Sequence, residues 1–139
     1  MRVLIVEDDP LLADGLTRSL RQSDFAVDCV SDGEKADHVL AAQHYDLVIL
    51  DLGLPKVDGF EVLRELKTNA RTCFIPVVML TSSNIQRDIA AGYQLGANSY
   101  LQKPVDFERF RRTVRLLGQY WMTMNEPPPP LLAGVQAER

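Results

Sequence analysis

The sequence predicts a doubly wound α/β fold, a five-stranded parallel sheet with five helices on its two faces. Three observations carry that expectation. Strand-length apolar runs alternate five times with stretches of helical periodicity, the pattern left in a chain by repeated right-handed crossovers. The runs at 3–6 and 47–50 are continuously apolar, as strands covered on both faces are. Acids, a hydroxyl and a lysine fall just after the runs, at the strand ends where open sheets bind their ligands.

Each element has a local reason. Residues 3–6 form the first strand, and Glu7, Asp8 and Asp9 follow it at once. Asp9 suits an N-cap and Pro10 the first helical position. Leu12, Leu16 and Leu20 then recur every four residues and give a core-facing helix. Residues 25–30 are the second strand, Asp32-Gly33 a turn, and 34–42 the second helix. The third strand, 47–50, delivers Asp51 to its C-terminal end. Gly53 and Pro55 come next, and Asp58-Gly59 opens a helix carrying Phe60, Val62, Leu63 and Leu66 that ends near Asn69. Residues 75–80 are the fourth strand, with Pro76 near its start, followed by the polar loop Thr81, Ser82, Ser83 and Asn84. The fourth helix, 85–95, stops at Gly96. Ser99–Gln102 is a short fifth strand, ended by Lys103-Pro104, and Asp106 caps the fifth helix. The compact body ends near Gly118. The last helix continues to about residue 124, so the domain covers 1–124 and a proline-rich tail covers 125–139.

Composition narrows the function classes. The chain has 139 residues, 46% of them hydrophobic and 24% charged, as one ordinary globular domain does. Its net charge of -4 gives no support to nucleic-acid binding by the domain. No apolar run is long enough for a membrane span, and the N-terminus lacks the pattern of a signal peptide. Cys29 and Cys73 have neither disulfide-framework nor metal-site spacing, and read as buried free thiols of a cytoplasmic protein.

Glu7, Asp8, Asp51, Thr81 and Lys103 all stand at the carboxyl ends of strands. With strand one central, flanked by strands three and two, those ends converge on one crevice. Asp51 alone reads equally as a functional acid or as a loop cap. The set of charges discriminates further. Three carboxylates packed together resist ionisation unless something offsets them. A magnesium ion and Lys103 would close the balance, with the Gly53 carbonyl as one more oxygen ligand. Such a site can move a phosphoryl group onto a carboxylate nucleophile, with the metal, Lys103 and the Thr81 hydroxyl each taking a phosphoryl oxygen.

VEDD at 6–9, DLVILDLGLPKVDG at 46–59, MLTSS at 79–83 and GANSYLQKP at 96–104 together resemble the receiver domain of two-component response regulators, over residues 2 to about 118. The resemblance implies a chemotaxis-receiver-like, flavodoxin-like sheet in the order 2-1-3-4-5. It implies phosphorylation of Asp51 by a sensor histidine kinase, in a phosphoacceptor switch that catalyses only its own phosphorylation and dephosphorylation. Magnesium would be held by Asp8, Asp51, the Gly53 carbonyl and, through water, Glu7. Thr81 and Lys103 become phosphate contacts, and the Lys103–Pro104 bond a cis peptide. Tyr100 becomes the switch aromatic, rotating inward when Thr81 moves toward the phosphoryl group. Gly53 and Ser83 occupy the positions that tune phosphoryl lifetime, and their small size implies an open site.

On the fifth helix, Phe107, Phe110, Val114, Leu117, Trp121 and Met124 form a heptad seam. Over 107–124 it would run roughly 27 Å, beyond the sheet it packs on. The first half is expected in the core. Trp121 is expected in or beside a homodimer contact made through helices four and five, with Arg109, Arg111, Arg112 and Arg115 as a basic band.

Three other functions fit the residues less well. An aspartyl-phosphate phosphatase would want a second acid two residues after the nucleophile, where Gly53 stands. A flavin or nucleotide binder would want a glycine-rich loop where Glu7-Asp8-Asp9 stand. A receiver-like interaction module that is never phosphorylated would not need the full set of motif residues. The short stretch after residue 118 cannot form a DNA-binding domain. The chain therefore reads as a stand-alone receiver signalling by contact. Its first half resembles receivers that precede DNA-binding domains, and its second half those paired with sensor kinases of the phytochrome type.

Overall fold

The computed structural model describes residues 1–54, 56, 58–82, 86–103 and 105–119, with side chains left out at 86, 114 and 117–119. Ten elements alternate: β1 Arg2–Val6, α1 Pro10–Gln22, β2 Ala26–Val30, α2 Gly33–Ala42, β3 Leu47–Asp51, α3 Gly59–Thr68, β4 Val77–Thr81, α4 Gln86–Gln94, β5 Ser99–Gln102 and α5 Phe107–Gln119. The strands form one parallel sheet in the order β2-β1-β3-β4-β5. That is the expected doubly wound topology, with β1 and β3 adjacent at its centre.

The continuous apolar runs become two-faced strands because side chains alternate across the sheet. Leu4, Val6, Val48, Leu50, Val77 and Met79 face one layer, where Ala36 and Leu40 of α2 meet Val62, Leu63 and Leu66 of α3. Val3, Ile5, Leu47, Ile49, Val78 and Leu80 face the other, against Leu16 and Leu20 of α1 and Phe110 of α5. Tyr100 and Leu101 divide between these two layers, as strand alternation requires.

Local capping sets where the helices begin. Asp9 Oδ1 accepts the Leu11 N–H at 3.0 Å, with Pro10 in the first turn. Asp32 is the N-cap of α2 rather than part of a free turn, accepting the Lys35 N–H at 2.8 Å. Asp58 Oδ1 accepts from Phe60 (3.0 Å), and Asp106 Oδ1 from Glu108 (3.0 Å). Gly96 ends the α4 turn with φ +105°, a conformation that favours glycine.

Two expectations need correction. Cys29 is exposed and Cys73 only partly covered, so neither is a buried thiol. Cys29 lies on the edge strand β2; Val27 on the same face is covered, but Cys29 is not. In α5, Phe110 is core but Phe107 is 39% exposed, and its ring lies over Gly15 of α1 rather than in the sheet core. Within the expected basic band, Arg111 bonds Glu108 and Gln22 of the same chain. Trp121, Met124, the helix beyond 119 and the tail lie outside the described residues, as do Ser83 and Pro104.

Candidate phosphoacceptor and cation site

The β1, β3 and β5 termini bring the key charges together. Glu7 follows β1, Asp51 is the last residue of β3, and Lys103 follows β5. Lys103 Nζ lies 3.1 Å from Glu7 Oε1 and 3.1 Å from Asp51 Oδ2. Backbone bonds aim these groups. The Lys103 N–H donates to the Thr81 carbonyl at 2.8 Å, which fixes the lysine beside the end of β4. The Glu7 N–H donates to Val30 O at 3.0 Å, and Glu7 Oε1 accepts the Asp9 N–H at 3.1 Å. Asp51 Oδ1 accepts the Gly53 N–H at 2.9 Å. Glu7, Asp51 and Thr81 are buried, whereas Asp8 stands exposed at the mouth.

Electrostatics leave the cluster short of positive charge. Burial, and after it the Asp51 carboxylate, push Glu7 up to about 7. Burial alone would lower the Lys103 ammonium, but hydrogen bonds to Glu7 and then Asp51 outweigh it and raise the group. Lys103 is thus shared between two buried carboxylates, Glu7 and Asp51. Glu7 Oε2 is buried and has no hydrogen-bond partner. A buried oxygen in that condition calls for a proton or a cation. Carboxylate oxygens of Glu7, Asp8 and Asp51 lie within 4.8 Å of one another, and the all-oxygen donor set fits a hard divalent ion such as magnesium.

The other expected residues stand as follows. Gly53 is exposed beside Asp51, and a Cβ there would meet only Asp51 Oδ1 at 3.7 Å, so space does not demand glycine. Tyr100 is half-buried on β5, in register with Met79, with its ring edge-to-face to Tyr93 of α4 at 6.2 Å. Lys56 was not anticipated. It has φ +65° and reaches toward Asp32 and Glu34, and the PKVDG turn around it was the only signal in the sequence.

A central pair of strands ending in an acid cluster, spanned by a lysine that follows the edge strand, defines a doubly wound α/β domain with a candidate cation site. The chain belongs to the response regulator receiver domain family, which matches residues 3–115. The transcriptional regulatory protein TctD of Salmonella typhimurium is 41% identical over 117 residues, covering 84% of this chain and 51% of TctD. The chain thus spans about half the length of that relative. The phosphorylated cyanobacterial phytochrome response regulator RcpA superposes with a TM-score of 0.78 at 31% identity, covering 92% of this chain and 98% of RcpA. The receiver domain of sensor histidine kinase PA1611 from Pseudomonas aeruginosa, with magnesium in its active-site cleft, gives 0.75 at 30% identity, covering 87% of this chain and 96% of that domain. Among the described residues, no helix is long and apolar enough to cross a membrane.

Proposed function

We propose that this chain is a cytoplasmic phosphoacceptor switch whose Asp51 takes a phosphoryl group from a sensor histidine kinase. The observation that carries the reading is the placement of Lys103 Nζ at 3.1 Å from both Glu7 and Asp51, beside the orphaned Glu7 Oε2. A magnesium ion held by Asp8, Asp51, the Gly53 carbonyl and Glu7 through water would neutralise phosphoryl oxygens. The Asp51 carboxylate attacks phosphorus, a new P–O bond forms, and the P–N bond to the donor imidazole breaks, with its electron pair returning to the ring. Asp51 needs no general base because it attacks ionised. Lys103 then moves from ion pairing with the carboxylates to one phosphoryl oxygen, and the Thr81 hydroxyl binds another.

Tyr100 is the readout on the face formed by α4, β5 and α5. The homodimer proposal rests on that face together with the heptad spacing that continues to Trp121. Trp121→Ser should weaken association in sedimentation without reducing phosphorylation. Similarity to RcpA supports a phytochrome-type kinase as the donor. The phosphatase reading is disfavoured by Gly53, because the second acid that reading wants is not there, although a Cβ at that position would meet only Asp51 Oδ1 at 3.7 Å. A non-phosphorylated interaction module would have no use for the Lys103 bridge.

Intact-mass spectrometry after incubation with acetyl phosphate and Mg2+ tests the proposal. One added phosphate is expected, absent with EDTA and absent in Asp51→Asn. An unmodified parent chain would refute it.

A further inference from the structure

We propose that Cys29 is a modification site: a small organic disulfide exchanges with its thiol and leaves an adduct in a cavity that Glu7 and Asp8 also line, where the adduct keeps a divalent cation out. The proposal rests on reading the Glu7, Asp8 and Asp51 cluster as a cation site. The cavity measures about 260 Å3 and lies where α1, the end of β2 and the start of α2 meet. Cys29 forms part of its wall together with Glu7, Asp8, Ala13 of α1, Ser31 and Lys35 of α2.

Strand pairing puts the thiol there. β2 is an edge strand, and Cys29 stands in register with Ile5, two residues before Glu7. The Glu7 N–H donates to Val30 O at 3.0 Å, which ties the residue after Cys29 to the acid. Cys29 is open to solvent. Desolvation first pushes its thiol up, a hydrogen bond with Thr17 opposes that, and the Glu7 carboxylate raises it further, so the charge of Glu7 is felt at the sulfur. An exposed cysteine alone would mean little. The second observation is Glu7 itself, which is 1% exposed. Its Oε1 accepts from Lys103 and from the Asp9 N–H, and its Oε2 has no partner. A buried oxygen without a partner marks where a ligand has to arrive, and this one belongs to the cavity wall that carries the thiol.

The exchange balances without a further oxidant. The Cys29 thiolate attacks one sulfur of the disulfide, a new S–S bond forms as the old one breaks, and the leaving thiolate takes up the proton that Cys29 gave away. A raised thiol is no activated nucleophile, so exchange is slow at neutral pH and the effect comes from where the adduct sits. Charge and bulk predict opposite signs. A carboxylate on the adduct would by charge alone make the pocket more negative and tighten cation binding. Filling the space beside Glu7 and Asp8 weakens it.

The test uses the full chain carrying Cys73→Ser, which leaves Cys29 as its one thiol. It is labelled at mildly alkaline pH with Ellman's disulfide, which leaves a carboxylated aromatic adduct, or with methyl methanethiosulfonate, which leaves only a methylthio group. Mn2+ is then titrated in, reading the free ion by electron paramagnetic resonance. The aromatic adduct should weaken Mn2+ binding by about tenfold or more, the scale on which disturbing the groups around metal ligands acts. The methylthio adduct should bind like the unlabelled chain, and excess Mn2+ should slow aromatic labelling of Cys29. No adduct at Cys29 of the folded chain, an aromatic-labelled chain that binds as tightly as the unlabelled one, equal weakening by both adducts, or a labelling rate indifferent to Mn2+ overturns the proposal. If Asp8→Asn weakens binding and the aromatic adduct does not, only the role of Cys29 fails. If the unlabelled chain binds no Mn2+, or Asp8→Asn binds like it, the cation-site reading fails and takes this one with it.

Discussion

Replacing Gly59 with alanine tests how closely α3 is set against the strand that carries Asp51. A Cβ at Gly59 would stand 2.5 Å from Leu52 Cα and 3.0 Å from Leu52 C, and would also clash with the Asp51 carbonyl oxygen. These are backbone atoms, so no rotamer change relieves the contact. Helix propensity argues the other way, since glycine to alanine in a helix normally gains about 0.5–1 kcal/mol. Overpacking a core contact costs about 1–3 kcal/mol, and a backbone clash belongs at the upper end, leaving a net loss of about 2 kcal/mol. With the usual urea slope for a small domain, the midpoint should fall by about 1 M. Gly92 is the control. A Cβ there would meet the far end of Met79, whose Cε lies at 2.7 Å, and a thioether side chain can move aside. Gly92→Ala should stay within about 1 kcal/mol of the parent. Urea denaturation of both variants decides. Gly59→Ala as stable as Gly92→Ala, or more stable than the parent, would refute the close seating of α3 on β3.

Other perturbations give equally definite outcomes. Lys103→Met leaves buried Glu7 and Asp51 without their shared cation, and without divalent ions it should cost about 3 kcal/mol by urea denaturation, with Mg2+ restoring part of the loss. Asp37 of α2, beside Glu65 of α3, is pushed up to about 6 by burial first and then by Glu65. Its folded value lies above the unfolded one, so its contribution is greatest at acid pH and is lost as pH rises from about 4 through about 6. Because Asp37 is only half-buried, the effect at neutral pH is discounted to about 1 kcal/mol; Asp37→Asn should gain that much at pH 7.5 and nothing at pH 4. A double-mutant cycle on Tyr93 and Tyr100 should show about 1 kcal/mol of coupling in urea denaturation, as an edge-to-face pair does.

The sheet was legible because its order follows from crossover handedness and from runs too apolar to have a wet face. The site was legible because strand ends converge in this topology, so Glu7, Asp51 and Lys103 could be brought together from their positions alone. Side-chain coverage at the periphery was not legible. Cys29 is apolar by residue type, yet the edge strand leaves it open to solvent. Phe107 continues a heptad seam in spacing, but the surface it meets is a glycine on α1 and not the sheet. The Asp37–Glu65 pairing and the Lys56 contacts depend on how α2 approaches its neighbours, which no residue pattern encodes. Strand limits shifted by one or two residues, and Asp51 and Thr81 became last strand residues because each pairs with the neighbouring strand.

Borohydride reduction converts an aspartyl phosphate to homoserine and so marks the residue that carried it. Applied after phosphorylation with a small-molecule donor and Mg2+, followed by peptide sequencing, it should place homoserine at position 51, and only when the divalent ion is present. Homoserine at Asp8 or Asp9 instead, or label at 51 that persists in excess EDTA, would contradict a cation-dependent pocket built around Asp51.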